Sequence, residues 1–333
     1  MSNALPDLDA ERAPVSVVMP VLNEERYLAG AVEAVLDNGY PGPLELVIGL
    51  GPSTDGTDAI AEHLAADPRV VLVANPTGAT PSGLNLAIAA SRNPVVIRTD
   101  GHARLPHGYL AQAVAALART GAGNVGGRMV PTSDGVLGKA IAVAMSSPWG
   151  IGGAGHRVGG AEGSAASVYL GAFRREALAA VGGYDEHFRR AQDWELNYRL
   201  RHAGFDVWFV PSMQVPYEPR RTWRALARQF HESGRWRREV ARVHPDSKSL
   251  RYLAAPIAAL AVAGGLVLGV VGLATGLSLL ALGFVAPVGY LAGVLLASAT
   301  HVRDLPLRSL LLLPGVLATM HMAWGTGYLR GIG

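Results

Sequence analysis

The chain has 333 residues, half of them hydrophobic, with 29 Lys+Arg against 26 Asp+Glu, a formal charge of +3 and a pI near 9.3. It has no cysteine, which excludes structural disulfides and thiolate metal sites. The apolar excess is concentrated: no Asp, Glu, Lys or Arg stands between Leu253 and Thr300, and lysine occurs only at Lys139 and Lys248.

Met1 to Ala13 is polar and acidic, reads as disordered, and carries no basic-apolar signal peptide. Strands are expected over Val15–Met19, closed by Pro20, and over Leu44–Leu50, Val70–Val73, Pro94–Arg98, Asn124–Val130, Ser167–Gly171 and Val207–Val210, closed by Pro211. Between them the spacing predicts helices over Glu24–Leu36 with Asn23 as N-cap, Asp58–Ala66, Ser82–Ala90, Gly108–Thr120, Arg174–Val181 and Asp193–His202. Strands alternating with helices every few tens of residues argue for an α/β domain with a parallel sheet covered on both faces. Ser146 to Ala166, rich in Gly and Ser around Trp149, His156 and Arg157, cannot order itself by burial and reads as a mobile lid or substrate loop.

Thr222 to Val243 reads as a long arginine-rich helix. With Arg251 it forms a basic collar that suits anionic lipid head groups or phosphates better than nucleic acid. Leu253–Gly276 and Leu277–Thr300 are each long enough to cross a hydrocarbon layer of about 30 Å. Arg251, Arg303 and Arg308 flank this hairpin on one side, so both its ends and the large domain are expected in the cytoplasm. Ser309–Leu329 is either a third crossing or a re-entrant or interfacial segment, since Pro314 and His321 weaken its apolar run.

The fourth strand ends in Arg98, Asp100 and His102. In an open parallel sheet, ligands sit beyond the carboxyl ends of the strands. A carboxylate and an imidazole two residues apart can hold Mn²⁺ or Mg²⁺, with a ligand's phosphates completing the shell. The alternative is an ordinary Asp-Gly turn. Glu24 and Asp55 are further acidic positions at strand ends or turns, and Asp193 with Glu195 opens a helix just after Arg189 and Arg190. Asp193 could cap its helix or take a proton from an attacking hydroxyl.

Met-Pro-Val-Leu-Asn-Glu24, Ser-Thr-Asp-Gly-Thr57, Arg-Thr-Asp-Gly-His102 and Gln-Asp-Trp-Glu-Leu-Asn-Tyr-Arg-Leu200 follow one another at fitting intervals. As a set they resemble glycosyltransferase family 2 with its GT-A fold, over about Val15 to Pro219. Within the family the likeness is to the succinoglycan-biosynthesis type, carried by Asp-Gly-His102, Gly-Gly-Tyr-Asp-Glu186, Gln-Asp-Trp-Glu195, Tyr-Glu-Pro-Arg220 and the apolar tail. The resemblance implies a Rossmann-like, mostly parallel sheet in a cytosolic domain, followed by C-terminal transmembrane helices. It implies that Pro20, Asn23, Glu24 and Asp55 line the nucleotide pocket, that Asp100 meets metal and diphosphate with His102 as second ligand, and that Asp193 is the base of an inverting displacement. Arg98 would balance Asp100 or reach a phosphate. Gln229, Arg235 and Trp236 resemble, at longer spacing, a Gln-x-x-Arg-Trp motif and would, with Glu195, face the acceptor.

Three positions depart from the family pattern. Leu50 and Gly51 stand where paired aspartates are usual, which removes a carboxylate from the base pocket and leaves uridine unassigned. Gln192 replaces a Glu beside Asp193. His102 replaces a carboxylate, which predicts relatively better binding of Mn²⁺ than of Mg²⁺. The expected organisation is a disordered 1–13, a catalytic domain over 14–219, a basic interface helix and linker over 220–252, and a membrane domain over 253–333. The expected function is sugar transfer from a nucleotide sugar to a polyprenyl phosphate or polyprenyl-linked glycan at the bacterial cytoplasmic membrane, in exopolysaccharide or envelope synthesis. The alternative is a non-catalytic membrane scaffold that binds nucleotide or glycan.

Overall fold

The computed structural model describes residues 7–152 and 158–332. Met1 to Pro6, and His156 and Arg157 of the expected lid, lie outside them. Two compact units form: Met1–Val130 with Gly159–Tyr217, and Pro131–Val158 with Glu218–Gly333.

The first unit is built on an eight-stranded sheet in the order β3-β2-β1-β4-β7-β5-β8-β6. The strands are β1 (Val15–Val21), β2 (Leu44–Leu50), β3 (Val70–Ala74), β4 (Val95–Arg98), β5 (Asn124–Pro131), β6 (Gly163–Ser164), β7 (Tyr169–Arg174) and β8 (Val207–Tyr217). β3, β2, β1 and β4 run parallel, while β7 is antiparallel to both β4 and β5. Side chains alternate between two cores, as pleating requires. Val15, Val17 and Met19 enter one cluster with Leu28 and Leu110, and Val18 enters the other with Leu84 and Leu196. Helices α1 (Leu28–Leu36), α2 (Thr57–Leu64), α3 (Thr80–Ala90) and α4 (Tyr109–Thr120) follow the parallel strands.

Four local expectations change. β1 continues through Pro20, which Gly49 faces in parallel register, and β8 continues through Pro211 to Tyr217. The amino-terminal stretch is ordered from residue 7: Asp9 Oδ1 accepts from the Glu11 and Arg12 amides, and Ala13 is buried. Asn23 does not cap α1, which starts at Leu28 after an uncapped Tyr27.

The second unit takes α5 (Val136–Ser146) and α6 (Pro148–Ile151) out of the middle of the expected catalytic domain. Both start in the stretch from residue 131, and α6 occupies part of the expected lid. They join α9 (Trp223–Val243), α10 (Ala254–Thr275), α11 (Ser278–Ala281), α12 (Val285–Ala299) and α13 (Leu307–Arg330); α7 (Arg175–Ala180) and α8 (Gln192–His202) belong to the sheet unit. Among the described residues, three stretches are long and apolar enough to cross a membrane: Leu250–Thr275, Ser278–Ala299 and Leu307–Arg330. The stretch that includes Pro314 and His321 is therefore a continuous helix of spanning length.

Polar contacts tie α6 to these helices. His301 Nε2 lies 3.1 Å from Ser147 Oγ, and His321 Nε2 lies 2.7 Å from the Trp149 carbonyl. α9 and α13 approach at backbone distance. A Cβ on Gly234 would meet the Trp324 carbonyl at 2.1 Å, and one on Gly327 the His231 carbonyl at 2.0 Å.

Within the arginine collar Arg237 turns inward and Arg235 is half-buried, whereas Arg221, Arg224, Arg228, Arg238, Arg242 and Arg251 are exposed. Arg237 is buried over the Tyr252 ring, 3.8 Å from its centroid, and donates to the Ser247 carbonyl. Burial lowers its pKa to about 10. Arg235 and Arg238 donate to carbonyls at the end of α13, where cations suit the negative end of a helix.

Candidate active site

The site forms beyond the carboxyl ends of β1, β2 and β4. Asn23, which follows β1, has φ 56, a left-handed conformation that Asn tolerates. In that conformation its Oδ1 accepts from the Thr54 amide at 2.8 Å, and its own amide donates to Ser53 Oγ. The two loops are stitched further: the Glu24 amide donates to Thr57 Oγ1 at 2.8 Å, and the Gly56 amide to Glu25 Oε2. Asp55 accepts from the Thr57 hydroxyl and amide, and more weakly from the Glu25 amide. The Thr57 hydroxyl holds the Asp55 carboxyl below its ordinary value. Asp55 thus sits exposed at the junction of the two loops, bracing Thr57, which in turn holds the Glu24 amide.

Arg98, the last residue of β4, is the hub. It is buried, and its guanidinium donates to Asp100 Oδ1 at 2.7 Å through Nη2 and to Asp193 Oδ1 through Nη1. Side-chain exposure is 7% for Arg98, 20% for Asp100 and 39% for Asp193, so the paired charges open outward from a buried base. For Asp100, burial opposes ionisation, but Arg98 and then His102 outweigh it and hold the carboxyl below its ordinary value. Asp193 sits in the first turn of α8, entered through Ala191 at φ 61. Such non-glycine strain persists where the surrounding structure over-determines it, and it clusters at functional sites.

His102 Nδ1 lies 2.7 Å from Glu24 Oε1. Two residues that the sequence reading missed complete the base of the site. Burial and then the Asp193 charge push the Tyr184 phenol pKa upward, and burial and then Asp100 do the same to Tyr169. Both are aromatic residues in motif or strand positions, and their spacing alone reads as core. The backbone of Tyr184 is clamped by Asn85, which donates to its carbonyl and accepts from its amide.

Pro20 packs toward Gly83 of α3, whose added Cβ would lie 3.4 Å from the Pro20 Cβ. Glu195 does not face an acceptor. It is 1% exposed and paired through both oxygens with Arg199, which also donates to the Val181 and Gly183 carbonyls. Gln229, Arg235 and Trp236 lie on α9 in the second unit. Arg235 donates to the Gly331 carbonyl and to Glu232, and its side chain stays partly exposed.

The family model for glycosyl transferase family 2 matches residues 16–182. Succinoglycan biosynthesis protein ExoA of Rhizobium meliloti (strain 1021) is 32% identical over 323 residues, covering 94% of this chain and 93% of that protein. The chain belongs to glycosyltransferase family 2. This family 2 glycosyltransferase is also similar to the putative glycosyltransferase EpsE of Bacillus subtilis (strain 168), at 36% identity over 90 residues, 26% of this chain and 32% of that protein. Its fold matches mannosyltransferase PcManGT from Pyrobaculum calidifontis, solved in complex with GDP-Man and Mn²⁺, with TM-score 0.61 and 20% identity over 99% of this chain and 90% of that one. The GT-A architecture expected from the motifs is the one observed.

Proposed function

We propose that this glycosyltransferase moves a sugar from a nucleotide-sugar donor to a lipid-linked acceptor with inversion, in exopolysaccharide or envelope glycan synthesis. The observation that carries the reading is the sharing of Arg98 by Asp100 and Asp193. One carboxylate belongs to the diphosphate side of the site and the other to the acceptor side, and the guanidinium keeps both aimed from a buried base. Asp193 accepts the proton of the attacking hydroxyl as the new glycosidic C–O bond forms and the bond to the diphosphate oxygen breaks. With a polyprenyl phosphate acceptor, the attacking oxygen is already ionised and needs no base.

The donor set fits a divalent cation. Asp100 supplies a carboxylate, and His102 an imidazole whose Nδ1 is backed by Glu24, the usual support of a metal-binding histidine. Among the described residues no group of three or more His, Asp or Glu is placed to hold a metal, so a diphosphate must complete the shell. When bound, Mn²⁺ or Mg²⁺ would neutralise charge on the leaving diphosphate. The Mn²⁺ in the mannosyltransferase structure and the name of the Rhizobium relative support this reading of donor, metal and pathway.

The spanning-length helices support tethering at a bilayer, where a polyprenyl acceptor resides. Arg251, Arg303 and Arg308 favour a cytoplasmic catalytic domain. The test is a donor screen on membranes expressing the protein, with Mn²⁺ and membrane lipid extract, followed by mass analysis of lipid products. A new glycosylated lipid that disappears with EDTA supports the reading. Transfer only to soluble acceptors, or transfer indifferent to EDTA, contradicts it.

A further inference from the structure

α10 and α12 belong to one antiparallel hairpin. Gly265, Gly269 and Gly272 of α10 lie so close to Gly283, Phe284 and Ala281 that an added Cβ would collide with them. Small residues allow this close approach between helices in lipid. A hairpin of two crossings returns the chain to the side from which it left. The end of α12 therefore shares the side of Leu250–Leu253, the turn that leads into α10, and α13 starts there.

The far end of α13 lies on that side as well. At the helical rise of about 1.5 Å per residue, Gly325 stands about 27 Å along α13 from Leu307, nearly the thickness of a hydrocarbon layer. A crossing α13 would carry Gly325 toward the opposite leaflet. Instead an added Cβ on Gly325 would run into the Ala255 carbonyl, in the first turn of α10. Trp324 stacks on Tyr252, just ahead of α10, with ring centroids 6.4 Å apart, and on Tyr328 at 5.4 Å. Trp and Tyr collect at membrane–water boundaries.

α9 gives an independent reason. It runs beside α13 from Trp223, which an added Cβ on Gly315 would meet at 3.1 Å, to Arg235, which donates to the Gly331 carbonyl at 2.8 Å. Between those two contacts Arg224 and Arg228 are exposed. Were α13 to cross, both guanidiniums would be taken to hydrocarbon depth, where a charge facing lipid is costly. α13 is also the least apolar of the three spanning-length stretches, and Arg308, Thr326 and Arg330 are among its exposed positions.

Resting on the reading of α10 to α12 as a membrane hairpin, we propose that α13 lies along the membrane–water boundary beside α9 and does not cross. The chain then passes the bilayer twice and ends on the side where α10 begins. Arg308 and Arg330, at the two ends of α13, both stand at head-group level.

The chain contains no cysteine, so single introduced cysteines report sidedness in an otherwise unaltered protein. Spheroplasts of bacteria expressing Lys248→Cys, Leu277→Cys or Arg330→Cys are treated with a membrane-impermeant maleimide, before and after detergent opens the membrane. All three positions are exposed. Position 330 should label as position 248 does, ahead of α10, and opposite to position 277, at the hairpin turn. Labelling of 330 together with 277 and against 248 overturns the proposal, because three crossings put it there. All three labelling alike before detergent overturns the hairpin and the proposal with it, and leaves the sugar-transfer reading standing. Depth gives a second readout in lipid nanodiscs. A spin label on Thr319→Cys should be relaxed by a water-soluble nickel chelate, and one on Leu266→Cys, midway along α10, should not. Equal protection of both sites overturns the boundary placement.

Discussion

Glu24 and His102, which follow different strands, meet at 2.7 Å between Oε1 and Nδ1. A carboxylate on one ring nitrogen fixes the imidazole's orientation and leaves the other nitrogen as the one suited to a metal. The first expectation follows from this contact. Glu24→Gln should weaken Mn²⁺ binding in the presence of nucleotide by about tenfold to a hundredfold, the usual effect of losing such support. Electron paramagnetic resonance of free Mn²⁺ measures it, and an unchanged affinity removes Glu24 from the metal's support.

Arg98→Met should strand two carboxylates over a buried base and cost about 3 kcal/mol of stability. The pH dependence has a definite sign. Asp100 is held below its ordinary value, mainly by Arg98 acting against burial. Its contribution is therefore present at neutral pH and is lost only as pH falls through that lowered value. Without Arg98, burial dominates and the acid limb of the stability curve should move to higher pH. Unfolding of both proteins followed across pH 3 to 7 tests this, and coincident acid limbs contradict it.

Glu195→Gln separates structure from chemistry two residues from the proposed base. Glu195 is buried and paired with Arg199, so the variant should lose about 3 kcal/mol of stability. At a temperature where it remains folded, transfer should stay within a few-fold of the unaltered protein. A folded variant that has lost transfer outright would return Glu195 to the site.

Gly327→Leu should loosen the second unit. The new side chain meets the His231 backbone carbonyl, which cannot yield as a flexible side chain would. Overpacking of this kind costs about 1–3 kcal/mol, read as a lower melting temperature in detergent, and an unchanged melt would contradict the close approach of α9 and α13.

The parallel half of the sheet was legible because β1, β2 and β4 are short apolar runs with clear stops, and the motifs fell at their carboxyl ends. Hydrophobic periodicity does not report which strand lies between two others, so the antiparallel β7 between β4 and β5 was not visible. Pro20 and Pro211 read as strand ends because proline removes a donor, yet both remain inside strands. Asp100, Asp193 and Arg98 were legible as candidates, and their meeting at one guanidinium was not, since 95 residues separate Arg98 from Asp193. Glu195 misled because its neighbour Asp193 shares the helix turn but not the face. The burial of Arg237 was not legible, because a sequence shows charge but not the Tyr252 ring and the Ser247 carbonyl that take it.

The most direct measurement is sugar transfer by Asp193→Asn in membranes supplied with donor, Mn²⁺ and lipid extract, alongside nucleotide binding by the same variant. Removal of a positioned base costs about a hundredfold to ten-thousandfold, so transfer to a hydroxyl acceptor should fall by at least a hundredfold with nucleotide binding preserved. Transfer at the unaltered rate would contradict the assignment of Asp193 as the base held by Arg98.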